Sequence, residues 1–364
     1  MSGEKGRVTA FQFFAFLFVS RMLIVLFVNG TFAGGDNFLD NTISCLLAAV
    51  LNVALAVPLF FLYREQPLLS VPERSVQLLG RAGRAVPVYY AAYYLVIDVV
   101  YLSLFQMFMA NAMEPNAVAW TLGVITVAAA CYAAVLGIEA ILRTAVILLV
   151  VMLLGTLLVL GGLAGQMEPL HFRPLFLEGP RQTLQGWAML FGFGTELPTI
   201  AILLPHVKGK RTRGFLWWNV LTYGFTALLL LATVAACGDY LDQQLFPMYT
   251  AASVAHLSIF ERMDIMFIIA WMSGLFVKLS ADLYIIRQCA AAVSERADHP
   301  AAIVTAGAVI AVGTQVVFQS LAAQKAFLNL WCILALSLLS AVGVPLLLLG
   351  VRRYRKKRRE AQRI

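Results

Sequence analysis

Charged residues are scarce in this chain. Of its 364 residues, 13% are Asp, Glu, Lys or Arg, whereas 61% are hydrophobic. An ordinary soluble domain is about a quarter charged. The shortage of charge excludes such a domain, and the long apolar runs between the charges indicate an integral membrane protein.

Cysteine and histidine are also few and scattered. The five cysteines show no C-x-x-C spacing and the four histidines form no i, i+4 pair, so the sequence predicts neither a disulfide framework nor a metal site. It contains no phosphate-binding P-loop and no G-x-S-x-G nucleophile motif. We therefore predict no enzymatic activity and no cofactor.

Positive charge is confined largely to one end. The formal net charge is +8, and the segment from Arg352 to Arg363 alone holds eight basic residues and one acidic residue. This local tail does not predict a nucleic-acid-binding face. Residues 351–364 are interpreted as a basic cytoplasmic tail that anchors the last helix, and contact with anionic membrane lipid is the alternative.

Apolar runs of spanning length cover most of residues 1–350, and we interpret them as one polytopic transmembrane domain. About 20 mostly apolar residues cross a bilayer as a helix, and continuous runs of this length favour an all-α bundle over a barrel. The first run is interpreted as a retained helix, not a signal peptide. The ten predicted spans are roughly 8–30, 39–62, 86–111, 117–136, 140–164, 182–205, 214–237, 263–287, 301–320 and 327–350.

Lys and Arg predict the orientation of these spans. With both termini in the cytoplasm, 21 of the 27 Lys and Arg residues fall in cytoplasmic segments, as the positive-inside rule requires. Spans one to five (about 8–164) and six to ten (about 182–350) form equal sets. Because five is an odd number, the second set of spans enters the membrane from the side opposite to the first. The pattern therefore predicts a five-plus-five inverted repeat. The outer segment from Asp239 to Asp264 is expected to contain an interfacial helix.

The sixth run contains the most unusual local sequence, "MLFGFGTELPTI". Gly192 and Gly194 tolerate unwound backbone, and Pro198 lacks a backbone donor, so we predict a helix that is broken at mid-membrane beside Glu196. Secondary transporters build substrate sites from such interrupted helices. The functional interpretation is a ligand site; the alternative is a proline kink with Glu196 in a structural ion pair.

Ionisable residues elsewhere in the predicted spans should face a partner or a cavity. Arg21 in the first span could pair with Glu196 or with Asp98, or could contact a ligand. Asp98 and Tyr101 belong to an aromatic helical face that either lines a cavity or serves packing alone.

Two acid–base pairs have the i, i+4 spacing of an intrahelical ion pair. Lys278 and Asp282 can pair within the eighth span, or Lys278 can carry the positive charge that a coupling cation carries elsewhere. Glu139 and Arg143 at the start of the fifth span are interpreted as structural.

The stretch "FGFGTELPTIAILLPHVKGKRTRGF", the segment "FPMYTAASVAHLSIFERMDIMFIIAWMSGLFVKLSADLYIIRQC" and the opening "TAFQFFAFLFVSRMLIVLF" together resemble one family. It is the B subunits of spore germinant receptors (GerAB type), in the amino acid, polyamine and organocation transporter superfamily. The resemblance implies a LeuT-like fold of ten helices in the inner spore membrane. It also implies A and C subunits as partners and a small germinant, often an amino acid, as ligand.

The resemblance places the pocket on the sixth span, with the first span opposite around Ser20 to Val25. There the chain departs from the family pattern, because Leu23 and Val25 stand where small residues are common. Arg21 could then replace the missing backbone donors. The expected ligand-binding residues are Ser20, Arg21, Asp98, Tyr101, Gly192, Phe193, Gly194, Thr195, Glu196 and Lys278.

These expectations leave three functions open. The first is a receptor subunit that binds a small polar germinant and signals germination to its partners. The second is a proton- or cation-coupled amino acid permease. The third is a scaffold whose pocket has lost its ligand, which the two bulky residues of the first span would allow.

Overall fold

The computed structural model describes residues 8–25, 39–113, 119–172, 179–256, 263–319 and 321–361, and these are almost entirely helical. The α-helices in the described ranges are α1 (Ala10–Val25), α2 (Asp40–Glu65), α3 (Val71–Leu79), α4 (Ala85–Phe108), α5 (Ala119–Leu136), α6 (Ile138–Leu163), α7 (Pro180–Gly192), α8 (Glu196–Leu203), α9 (Arg211–Cys237), α10 (Pro247–Val254), α11 (Asp264–Val293), α12 (Ala301–Gln319), α13 (Leu321–Phe327), α14 (Leu330–Leu338) and α15 (Val344–Ala361). Short 3-10 or π segments extend several of them.

Each of the ten predicted runs contains one of these helices or two consecutive ones. Within the described residues, eight helical stretches are long and apolar enough to cross a membrane, and two apolar helices, α1 and the 17 residues Trp120–Leu136 of α5, are shorter. Residues 26–38 and 114–118, which flank the two shorter helices, lie outside the described ranges. The chain is thus an all-helical membrane-type protein with at least eight candidate spans.

One short parallel β-pair interrupts the helical pattern. Strand β1 (Val8–Thr9) pairs with β2 (Val207–Lys208), in the register Val8 to Val207 and Thr9 to Lys208. This pairing ties the start of α1 to the chain just beyond α8. The two helices that carry the predicted site are therefore joined at one end by backbone hydrogen bonds.

Helices α1, α7 and α8 form the centre of the bundle. In α1 every residue from Phe13 to Val25 is buried, and the helix contacts α6, α9 and α11. The most apolar part of the stretch 180–206 is 94% buried, against 22% for 138–166. A span surrounded by protein on all sides can carry polar groups that a lipid-facing span cannot.

Two connections and the basic tail contain helices, of which the sequence predicted only the helix in the outer segment. The Arg-rich connector from Tyr63 to Val86 contains α3, whose start is fixed by a capping box between Ser70 and Glu73. In the outer segment, α10 is a short helix that buries part of its surface. Helix α15 continues without a break into the basic tail.

Some sequence-based expectations fall on residues that the structure does not describe. The stretch from Gly30 to Asp36, which bears on the retained first helix, lies outside the described ranges. The same is true of Lys5, Arg7, Arg173 and Arg262, which enter the charge count for orientation.

Candidate functional site

The predicted interruption of the sixth span is present. Helix α7 ends at Gly192 and α8 begins at Glu196, and Phe193 to Thr195 between them are not helical. Pro198 lies in the first turn of α8, where a missing backbone N–H costs no hydrogen bond. The proline is therefore compatible with the start of a new helix at Glu196. The helical pattern is interrupted before it, at Phe193 to Thr195, in the glycine-containing segment.

Side chains from three other helices bind the carbonyl groups that the interruption leaves without helical partners. Arg21 Nη1 of α1 donates to the Leu190 carbonyl. Tyr101 Oη of α4 donates to the Phe193 carbonyl at 2.5 Å. The third bond runs from Ser337 Oγ of α14 to the Gly192 carbonyl, also at 2.5 Å. The unwound backbone is thus held by protein.

A buried ion pair lies against this interruption. Arg21 Nη2 is 2.7 Å from Glu196 Oε2, and the two side chains are 1% and 2% exposed. Tyr223 Oη on α9 is 2.9 Å from the same nitrogen. The sequence left Asp98 open as the partner of Arg21, and the structure selects Glu196.

Two polar atoms of this ion pair have no hydrogen-bond partner among the residues that the structure describes. They are the donor Arg21 Nε and the acceptor Glu196 Oε1, and both are buried. Buried polar groups are normally paired, so each such atom requires an explanation, and a bound polar molecule is one. The pair thus presents one free donor and one free acceptor at the centre of the bundle.

A second buried ion pair approaches the interruption from α11. Lys278 Nζ is 2.6 Å from Asp282 Oδ2, which confirms the predicted pair within one helix. The same nitrogen donates to Thr195 Oγ1 at 2.7 Å and lies 4.8 Å from the centroid of the Tyr101 ring. The bond to Thr195 was not predicted, and it ties α11 directly to the unwound segment.

The aromatic face of α4 packs against protein. Tyr94 Oη and Thr199 Oγ1 of α8 are 3.0 Å apart, and Tyr90 Oη donates to the Ser340 carbonyl at 2.6 Å. Asp98 on the same face is fully buried. The contacts of Tyr90 and Tyr94 are those expected of packing, which is one of the two interpretations left open for this face.

Leu23, one of the two bulky residues of α1, packs away from the interruption. A Cβ built on Gly274 of α11 would lie 3.1 Å from Leu23 Cδ2, so the leucine packs into space that this glycine leaves free. Val25 and Ser20 are also buried in α1. Among the described residues, Ser20 makes no hydrogen bond to the interruption. Arg21 is the α1 residue that reaches it.

Sequence reasoning missed two functional contacts. Tyr223 lies in α9 and Ser337 in α14, and they bind Arg21 and the Gly192 carbonyl respectively. The available signal was weak, because a serine hydroxyl within a helix is often bonded to its own helix and the sequence does not show which segment a tyrosine hydroxyl reaches. Only the packing of α9 and α14 against the centre gives these hydroxyls their partners.

The two glycines of the interruption are each required by a close contact. A Cβ on Gly192 would lie 3.3 Å from backbone atoms of Leu334 in α14. A Cβ on Gly194 would lie 2.7 Å from Glu196 Oε2, 2.8 Å from Arg21 Nη2 and 2.9 Å from the Leu190 carbonyl oxygen. The second set of contacts is too short to be accommodated without moving the ion pair.

We therefore expect Gly194→Ala to lower the free energy of unfolding by about 1–3 kcal/mol, as overpacking of a well-filled interior does. Unfolding in mixed detergent micelles measures the change. Gly224→Ala in α9 is the matched control, because nothing lies within 4 Å of its added Cβ. Equal stabilities of the two variants would contradict the close packing described here.

Two surface grooves lie away from the interruption. One groove of about 480 Å³ is lined by residues that include Tyr63 and Arg211. Another, of about 590 Å³, lies between α1, α6 and α9 and is almost wholly apolar. Across the part of the chain that the structure describes, no group of three or more His, Cys, Asp or Glu side chains is placed to hold a metal ion.

Comparison with known families connects this geometry to a biological process. The sequence profile of a family described as spore germination protein matches residues 7–324. That range includes the interruption and both buried ion pairs. The chain belongs to the spore germination protein family. The resemblance noted from the sequence is confirmed at the family level, and this family is not one of enzymes. No curated protein sequence matches the chain.

Among solved structures, this spore germination protein is similar to a Na⁺-coupled sialic acid symporter in a substrate-bound, outward-open state. The TM-score is 0.62, and the match covers 93% of this chain and 79% of the symporter. The sequences are 13% identical, so the likeness shows the fold alone. The fold is that of a LeuT-type transporter.

Proposed function

We propose that this protein is a germinant receptor subunit that binds a small polar germinant, an amino acid, at the interruption of the sixth span. Membership of the spore germination protein family supports a role in germination. Binding would signal germination to A and C subunits of the receptor. These partners are those that the family resemblance implies.

The observation that carries the proposal is the pair of polar atoms at the central ion pair that have no hydrogen-bond partner within the part of the chain that the structure describes. An amino acid has one carboxylate and one ammonium group. The carboxylate would accept from Arg21 Nε, and the ammonium would donate to Glu196 Oε1, which are the two atoms without partners. A guanidinium and a carboxylate held in protein are well suited to opposite charges on one ligand.

The remaining residues of the proposed site surround this ion pair. Thr195 of the interruption supplies a hydroxyl group next to the ion pair. Ser20 precedes Arg21 in α1. The full proposed set is Ser20, Arg21, Asp98, Tyr101, Gly192, Phe193, Gly194, Thr195, Glu196 and Lys278.

The proposed membrane arrangement has ten spans in a LeuT-like five-plus-five inverted repeat, with both termini in the cytoplasm. The uneven distribution of Lys and Arg supports the orientation, and the similarity to a symporter supports the repeat. As a germinant receptor subunit, the protein would lie in the inner spore membrane. Contact of the basic tail with anionic lipid belongs to the same proposal.

In the structure the two charged groups touch each other directly, so a germinant must separate them. A ligand shifts a conformational equilibrium only by its differential affinity for the two states. Separation of Arg21 from Glu196 would also release the Leu190 carbonyl from the guanidinium. Binding would thereby change the contact between α1 and α7, and this change is the signal we propose.

The proposal is tested by measuring how free amino acids change the melting temperature of the purified protein. We expect at least one amino acid to raise it, and Glu196→Gln to weaken that ligand at least about tenfold, since a charge-assisted bond of about 1.5–3 kcal/mol is lost. Glu139→Gln is the matched control, because Glu139 pairs with Arg143 at a partly exposed site. Unchanged binding by Glu196→Gln would contradict the site.

The second candidate is a coupled amino acid permease, which the similarity to a Na⁺-coupled symporter favours. Proteoliposomes with and without a proton or Na⁺ gradient separate the two functions. Gradient-driven accumulation of labelled amino acid would support the permease, and binding without accumulation would support the receptor. Loss of germination to that amino acid in spores carrying Glu196→Gln would connect the site to the process.

A further inference from the structure

Asp98 is a buried acid for which the ion pairs above give no role. It lies in α4 with none of its surface exposed, and within the described ranges neither carboxylate oxygen has a hydrogen-bond partner. An ionised carboxylate in this state has lost its water and gained no donor. Asp98 therefore requires either a proton or a cation.

Helix α11 packs against α4, and Lys278 Nζ lies 4.8 Å from the centroid of the Tyr101 ring, less than one helical turn from Asp98. The charged groups that act on Asp98 are accordingly Asp282 and Lys278 of α11. Asp282 Oδ2 accepts the bond from Lys278, whereas Asp282 Oδ1 has no partner. Two neighbouring carboxylates cannot both be ionised cheaply, and sharing one proton relieves the repulsion. A proton on Asp98, donated to Asp282, supplies both acids with a hydrogen bond.

Charge in the centre of the bundle leads to the same requirement. Among the described residues, the buried charged groups that surround the interruption and Asp98 are two cations and three acids, namely Arg21, Lys278, Asp98, Glu196 and Asp282. One negative charge is therefore left over. A single bound proton neutralises it, which membrane burial favours strongly.

Among the described residues, the other elements packed against α4 place no further charged group beside Asp98. Arg84, in the turn just before α4, is exposed, and Glu196 of α8 pairs with Arg21. Helices α5 and α12 contain no Asp, Glu, Lys or Arg. Helix α3 contributes Arg74, whose guanidinium binds the Leu62 and Leu69 carbonyls, and Glu73, which caps α3 at Ser70. On α4 itself, Tyr101 donates to the Phe193 carbonyl.

We propose that Asp98 holds a proton and donates it to Asp282, so that Asp98, Asp282 and Lys278 form an intramembrane proton-binding site. Asp98 and Lys278 also belong to the ligand-binding set proposed above, but the proton site is argued from their contacts with α11 and not from the identity of the germinant. If the proton leaves, two carboxylates share one ammonium group, and Lys278 is drawn from Thr195 toward Asp98. Proton release is in this way coupled to the interruption of the sixth span.

Infrared spectroscopy of the reconstituted protein at neutral pH tests the assignment. We expect a carboxylic-acid C=O band that shifts in D₂O and also shifts on carbon-13 labelling of aspartate. Asp98→Asn should remove this band and leave the melting temperature of the ligand-free protein unchanged, since the amide is a neutral isostere of the protonated acid. Glu139→Gln should retain the band, because its carboxylate is partly exposed.

Three results would overturn the proposal. One is the lack of a protonated-aspartate band in the wild-type protein, a measurement that requires no variant to fold. Another is persistence of the same band in Asp98→Asn. The third is a melting temperature that rises when Na⁺ replaces choline in the wild type but not in Asp98→Asn, which would identify a cation site.

Discussion

Arg21→Met is expected to lower the free energy of unfolding by about 3–5 kcal/mol, the cost of leaving one member of a buried ion pair without its partner. Glu196 would keep its carboxylate at 2% exposure and would lose the guanidinium group that pairs with it. The Leu190 carbonyl would lose its donor as well. Reversible unfolding in mixed detergent micelles, followed by tryptophan fluorescence, measures the loss.

Two further variants isolate the buried charge as the cause. Arg143→Met removes the basic partner of an ion pair whose Arg143 side chain is 66% exposed, and such surface pairs contribute about 0–1 kcal/mol. The double variant Arg21→Met with Glu196→Gln removes both central charges and should recover part of the lost stability. If the double variant were as unstable as the sum of the two single ones, the direct pairing would be contradicted.

The interruption of the sixth span could be predicted because its causes are local. Gly192, Gly194 and Pro198 lie within seven residues, and each acts on the backbone near its own position. The Lys278–Asp282 pair was predictable for the same reason, since i, i+4 spacing on a helix fixes the distance between side chains. The apolar runs located the spans because their length is set by the bilayer.

The rest of the site depends on contacts between distant segments. The sequence offered both Glu196 and Asp98 as partners of Arg21, and only the packing of α1 against α8 decides between them. The approach of Asp98 to Asp282 joins α4 to α11 and has no signature in either helix. The accommodation of Leu23 likewise required Gly274, which lies about 250 residues further along the chain and on another helix.

Lys278→Met has the second large effect that we expect. It removes the donor to Asp282 and to Thr195 together, and it leaves the carboxyl group of Asp282 beside that of Asp98. The lost stability should again be about 3–5 kcal/mol, because an uncompensated charge remains buried. In addition, backbone amides from Thr195 to Leu197 should exchange hydrogen faster, since the start of α8 loses its link to α11.

The control and the rescue follow from the same contacts. Lys325→Met replaces an exposed lysine of α13 and should change stability by less than about 0.5 kcal/mol. Combining Lys278→Met with Asp282→Asn removes both charges of the pair, so the free energy of unfolding should partly recover while exchange near Thr195 stays fast. Slow exchange there in Lys278→Met would show that the bond from Lys278 does not hold the interruption, and the proposed coupling between the proton site and the sixth span would fail with it.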